Sequence, residues 1–299
     1  VIPAARRGGA GPGPVDARLG TVVPVLFVLL WATGFVAARV AMSQVPPLGF
    51  LALRFAATLA VLAPLILIAR APWPDRRGLA HLAVAGLLIQ AGYLAGVWVA
   101  VALGMSAGLV ALIVNLQPVL TALWLAFGRE RIGVRQWAGL ALGFGGVALV
   151  VVHRIDADRL GPASIGFAVA ALLSITAGTL YQRRHVPSFD LRTGAFVQYA
   201  ASLAAIAPLA LWVEHGPWAP NAGTWIALAW SVCALSIGAT FLLNTLIRRG
   251  TATRVASLFY LVPPVTALQA WVLFGEPFGM LAALGMLLTA IGVALVVRT

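Results

Sequence analysis

The chain has no lysine, one cysteine and eight acidic residues in 299. Charged side chains make up 9% of it, against roughly a quarter in ordinary soluble domains. Hydrophobic residues make up 62%, so too few polar groups remain to cover a water-facing surface, which excludes a soluble globular protein. The lone Cys233 lies inside an apolar run and excludes a disulfide framework. Chemistry is scarce as well. His81, His153, His185 and His215 are scattered over loops and the ends of apolar runs, and no HExxH or GxSxG occurs. A membrane-embedded enzyme is therefore the weaker reading. No catalytic residue, metal site or cofactor is expected.

What is present is apolar length. Cutting at Pro/Gly/Arg clusters leaves ten runs, roughly 21–42, 48–69, 78–101, 104–127, 133–152, 163–183, 191–213, 224–248, 251–274 and 278–297. Runs of about 18 or more apolar residues read as transmembrane helices. The expectation is an all-α integral membrane protein with ten transmembrane helices and short loops. Residues 1–20 are Gly/Pro-rich without an apolar core, and read as a disordered tail rather than a cleaved signal.

All twenty basic residues are Arg. A net charge of +12 would suggest nucleic acid in a soluble protein, but here the arginines sit in short loops between apolar runs and speak to topology. Arg6, Arg7, Arg18, Arg70, Arg76, Arg77, Arg129, Arg131 and Arg135 fall on one side. So do Arg183, Arg184, Arg192, Arg248, Arg249, Arg254 and Arg298. The other side holds Arg154 and Arg159, with Arg39 near its boundary. The positive-inside rule then puts both termini in the cytoplasm. The bilayer is the expected macromolecular partner, and nucleic acid is not.

The chain also repeats itself. GMSAGLVALIVNLQPVLTALWLAFGRERIGVRQWAGLALGFGGVALVV, from Gly104, aligns without a gap to the stretch from Gly250 at a shift of 146 residues. Fourteen of those forty-eight positions are identical, among them Pro118 with Pro264, Glu130 with Glu276, and Gly146 with Gly292. Earlier in each copy LRFAATLAVLAPLIL, from Leu53, answers VQYAASLAAIAPLAL, from Val197, with Gln198 where Arg54 stood. Each unit holds five runs, an odd number, so the second copy must enter the bilayer from the opposite face. Inverted repeats of this kind are a hallmark of secondary transporters.

The duplicated halves, the Trp in FVLLWATGFVAAR, ALRF in the second run, and NLQPV and YLVPPV followed by GRE and GEP together resemble the EamA family. That family belongs to the drug/metabolite transporter superfamily. The resemblance implies one EamA repeat over 21–152 and another over 163–298. It also implies an inverted basket, with helices 1–4 and 6–9 around a cavity and helices 5 and 10 outside. By the same resemblance the chain is similar to bacterial inner-membrane exporters of amino acids, aromatic ones included, and related metabolites. It would work as a monomer by alternating access. The alternatives are a drug or lipid-like solute exporter, or a carrier of sugar phosphates or nucleotide sugars. Asp16, Asp75, Glu130, Asp156, Asp158, Asp190, Glu214 and Glu276 all fall in the tail, loops or run ends. Proton- and cation-coupled carriers commonly keep a carboxylate within the membrane, so facilitated, downhill transport is expected.

Polar groups inside lipid-spanning helices usually face a cavity or another helix. On that ground Trp31, Gln90, Tyr93, Asn115, Gln117, Tyr181, Ser236 and Tyr260 are the candidate substrate contacts. Gln90 and Tyr93 are three apart, hence on one helical face. Trp31, Tyr93 and Tyr260 also suit plain packing, and Ser or Thr hydroxyls commonly bond their own helix. Pro118, Pro263 and Pro264 each free a carbonyl one turn earlier and are expected as helix kinks. Arg54 lies about 10 Å from the outer end of its run. Snorkelling or a helix-end contact is the expectation for it, and an anion contact the alternative.

Overall fold

The computed structural model describes residues 14–41, 45–105, 110, 113–127, 133–151, 161–249, 255, 257–274 and 280–297. Among them every regular element is helical. Helix α1 is Pro14–Ala41, α2 is Pro47–Ala69 and α3 is Arg76–Ala102. Helix α4 is Gln117–Phe127 and α5 is Val134–Val151. The second copy follows with α6 (Pro162–His185), α7 (Leu191–Val213) and α8 (Ala222–Trp230, continuing through Thr240–Arg249). It ends with α9 (Val262–Phe274) and α10 (Met280–Val297). Five of these helices, α2, α3, α6, α7 and α8, are long and apolar enough to cross a bilayer. The other expected runs appear as shorter apolar helices or adjoin residues outside the described set. Helix α1 starts at Pro14, inside the stretch read as tail. Glu130 and Glu276 lie outside the described residues.

The bundle has two ends. At one, α1 passes into α2, and Glu214, just after α7, accepts hydrogen bonds from Leu48 N at 2.8 Å and Gly49 N at 2.7 Å. A carboxylate here answers the orphan N–H groups and the positive end of α2. At the other end α6 passes into α7, and Thr193 Oγ1 donates to Pro72 O at 2.9 Å. Helices α2 and α7, equivalent in the two copies, therefore run antiparallel. Arg70, Arg76, Arg77, Arg183, Arg184, Arg192 and Arg248 all sit beside the α6–α7 end.

Asp190 opens α7 by accepting from Arg192 N and Thr193 N, and its carboxylate also pairs with the Arg192 guanidinium at 2.8 Å. The hydrogen bond from Arg192 holds the Asp190 carboxyl below its ordinary range. Because the folded value is depressed, the stability Asp190 adds is present above about pH 4 and is lost as pH falls through the lowered folded value. Asp190→Ala should cost about 1 kcal/mol near neutral pH, the usual effect of losing an N-cap. Thermal melts of the two proteins should converge in acid.

Helices α5 and α10 pack antiparallel through glycine. Gly139 lies against Gly292, Gly143 against Gly292, and Gly146 against Gly285 and Thr289. Under the 146-residue shift Gly139 becomes Gly285, Gly143 becomes Thr289 and Gly146 becomes Gly292. The contact set maps onto itself when the two copies are exchanged.

The breaks in regular helix are paired too. Helix α3 carries a π-helical segment at Leu87–Gly92 and α8 one at Ser231–Ala239, overlapping under the same shift. Wide turns of this kind leave carbonyls without regular helical partners, and they concentrate at functional sites. Leu88 O is met by Ser174 Oγ at 2.9 Å, and Ser236 O by the Tyr199 hydroxyl at 2.9 Å. Before Pro118 the chain turns at residues 115–116, and before Pro263 and Pro264 it tightens to a 3₁₀ turn at Phe259–Leu261. Both irregularities stand where proline removes an intrahelical bond.

Candidate functional site

A cavity lies between α1, α2, α3 and α8. Trp31, Gly34 and Ala38 come from α1, and Arg54 from α2. Gln90, Tyr93, Leu94, Val97 and Trp98 come from α3, with Leu235 and Thr240 from α8. Its residues run from mid-bundle towards the α1–α2 end. About 50 Å³ is open to the centres of water-sized molecules, room for a few waters at roughly 10–15 Å³ each.

Arg54 dominates it. The side chain is 5% exposed. Nε donates to Ser236 Oγ at 2.8 Å, and among the described residues that is its hydrogen-bond partner. Among the described residues neither Nη group has a hydrogen-bond partner. The ion pair among the described residues is Arg192–Asp190, at a helix end, so no described carboxylate neutralises Arg54. The snorkelling expectation fails for a physical reason. Ser236, delivered by the π-helical segment of α8, offers an acceptor inside the bundle, and the guanidinium turns to it rather than to the surface. Tyr199 holds the backbone of the same residue: its hydroxyl donates to Ser236 O and meets Thr240 Oγ1, both at 2.9 Å.

The walls are aromatic. Trp31 and Tyr93 stack with centroids 6.2 Å apart, and Phe50 stacks on Trp98 at 5.1 Å. Phe27 and Phe259 support Trp31 from behind at 5.1 and 5.3 Å. Gln90 lines the cavity, and its Nε2 is buried without a hydrogen-bond partner.

The structure thus brings Trp31, Arg54, Gln90 and Tyr93 together around one space, with Ser236 directly behind Arg54. It places the other candidates elsewhere. Asn115 and Gln117 are buried on α4 and the turn before it, where Gln117 Nε2 faces Thr179 Oγ1 of α6 at 3.4 Å. Tyr181 lies near the α6–α7 end, its hydroxyl 2.7 Å from His81 Nδ1 and its ring stacked on His185. Tyr260 is fully buried against Gly143 of α5. Pro118, Pro263 and Pro264 are buried outside the cavity lining. Gly34, Ala38, Leu94, Val97 and Leu235 line the cavity without any polar signal to single them out. Thr240 and Trp98, a hydroxyl and an indole buried inside apolar runs, were the available hints among the remaining lining residues.

Relatives share this chain's length. A protein of Escherichia coli (strain K12) named "Probable amino-acid metabolite efflux pump" is 27% identical over 92% of this chain and 94% of its own. One of the same name from Salmonella typhimurium is 26% identical over 87% and 88%. A solved crystal structure superposes with a TM-score of 0.76, covering 94% of this chain and 98% of its own, at 22% identity, which speaks to the fold alone. Residues 18–152 and 163–298 each match the EamA-like transporter family, and the chain belongs to it.

Proposed function

We propose that this protein exports small carboxylate-bearing metabolites, most of all amino acids with aromatic side chains, across the bacterial inner membrane. One observation carries the substrate reading. A buried arginine without a described counter-ion faces a cavity walled by Trp31, Tyr93 and Trp98. Burying an unpaired charge is expensive. A ligand carboxylate would complete the pair as a fork on the two free Nη groups, while the aromatic walls take the side chain. The names of the relatives point the same way.

The transport reading rests on the family and on the self-inverse pairing of the two copies. Ten spans in two inverted five-helix repeats, with the arginine-rich end in the cytoplasm, would let the cavity face either side in turn. No carboxylate stands within the five described helices long enough to cross a bilayer, which favours facilitated movement down the solute gradient. Uphill export driven by a proton gradient would defeat that part.

Vesicles loaded with labelled phenylalanine or tryptophan test the reading. Export should be blocked by unlabelled aromatic amino acids and left untouched by the matching decarboxylated amines, quaternary amines or lipids. Equal block by amine and amino acid would overturn the role of Arg54. Trp31→Ala should reduce preference for aromatic over aliphatic solutes by about threefold to tenfold, since a base-like or aromatic stack contributes roughly 0.5–1.5 kcal/mol.

A further inference from the structure

Helices α6, α7 and α8 are tied by a chain of side-chain amides. Gln198 Nε2 donates to Gln182 Oε1 at 2.7 Å, and Gln182 Nε2 donates to Asn244 Oδ1 at 2.9 Å. All three residues are at most 1% exposed. At the two ends of this ladder Gln198 Oε1 and Asn244 Nδ2 are buried without a partner. The ladder lies towards the α6–α7 end: Gln182 is in the last turn of α6, and Gln198 and Asn244 lie within two turns of their helix ends.

Its place in the repeat is informative. A shift of 144 residues takes Ala38 to Gln182 and Arg54 to Gln198, and the shift of 146 takes Trp98 to Asn244. Contacts support those equivalences: Gly34 packs on Leu235, and its counterpart Gly178 packs on Ile89, the counterpart of Leu235. Ala38, Arg54 and Trp98 all line the cavity. The three amides therefore stand where the second copy would have a cavity of its own, and there hydrogen bonds draw the helices together instead.

We propose that Gln182, Gln198 and Asn244 form the closed inner gate of the path, and that once parted they become an amide-lined inward-facing site for the head group of a zwitterionic solute. This rests on the transporter reading above. Neutral amides suit both tasks. Their bonds exchange for bonds to water or solute with little net change, whereas parted ion partners would leave bare charges behind. The two orphan atoms, an acceptor on Gln198 and a donor on Asn244, match an ammonium and a carboxylate.

The test uses the full chain in vesicles on a Cys233→Ala background, with Ile175→Cys as reporter. Ile175 is fully buried, about two turns deeper than Gln182 on the same face of α6 and farther from the α6–α7 end. A membrane-impermeant maleimide applied to that end should label it slowly with the ladder intact. Gln182→Val, which breaks both bonds, should raise the labelling rate at least fivefold. An unchanged rate overturns the gate. A second arm does not depend on that variant folding: Gln182→Cys with Asn244→Cys, joined by a short reducible bis-thiosulfonate linker. Joining should cut solute flux at least tenfold below that of the same double variant before joining, and reduction should restore that variant's own rate, whereas the linker should leave each single-cysteine variant at its own untreated rate. Undiminished flux through joined protein overturns the gate while leaving transport standing. If the unmodified protein moves no carboxylated solute at all, the transport reading falls, and the labelling rates still decide whether the ladder closes that end.

Discussion

Arg54→Gln should lower the transport of aromatic amino acids about ten- to a hundredfold, the effect of losing charge-assisted hydrogen bonds of roughly 1.5–3 kcal/mol. Glutamine stands at the equivalent place in the second copy, so the helix tolerates the amide there. Decarboxylated analogues, having nothing to offer a guanidinium, should be carried no worse by the variant than by the parent. Arg54→Lys should recover only part of the activity, because an ammonium is a point charge and cannot present the planar fork. Nor should the variant be less stable. Without ligand, Arg54 is a buried cation whose partner is a neutral hydroxyl, and removing it relieves desolvation. An unchanged or raised melting temperature beside a collapsed flux separates a binding role from a structural one. A lowered melting temperature with proportionate loss for amines and amino acids would argue that Arg54 holds α2 to α8 and nothing more. Tyr199→Phe supplies an intermediate case. It removes the donor that fixes Ser236 O, so Arg54 keeps its charge but loses its orientation. Solute affinity should fall by a few-fold with no change in the discrimination between acid and amine.

The positions of α2, α3, α6, α7 and α8 were legible in the sequence because lipid demands long, nearly uncharged runs, and little else satisfies that demand. The expected ends of α2 and α7 agree with the structure to within a residue. The duplication was legible through residues that apolar composition does not favour, such as Pro118 with Pro264, and these mark equivalent interruptions of regular helix. Within the site, Gln90 and Tyr93 could be read as one face because three residues make nearly one turn. What stayed hidden depends on register across helices far apart in the chain. Tyr181 and Tyr260 have the same chemistry as Tyr93, yet one turns to His81 and the other packs under Gly143. The π-helical segments leave no composition signature, although they deliver Gln90 to the cavity lining and Ser236 to Arg54 behind it. Arg54 was misjudged for the same reason, since its acceptor lies 182 residues away. The amides of Gln182, Gln198 and Asn244 were visible as polar residues in apolar runs, but their mutual bonding was not.

Gly292→Leu should be among the most damaging single changes outside the cavity. A side chain at this position would meet the backbone of Gly139 and Gly143 on the facing helix, not the movable tip of another side chain. No rotamer relieves such a clash, so α5 and α10 must separate. Within lipid, where burial of apolar surface adds little, close backbone approach through small residues is much of what holds helices together. Overpacking of well-fitted interiors typically costs about 1–3 kcal/mol, and backbone displacement along a whole helix pair sits at or above the top of that range. The expected result is a melting temperature lower by at least several degrees in detergent, or loss of monodisperse protein. Gly145, which has open space where a side chain would go, provides the control on the same helix pair: Gly145→Leu should behave like the parent. The self-inverse contact set adds a sharper expectation. Gly146 meets Gly285 as Gly292 meets Gly139, so Gly146→Leu should be as harmful as Gly292→Leu, and the double variant should be less than additive once the two helices have already parted. Full additivity would mean that the two sites do not share one interface.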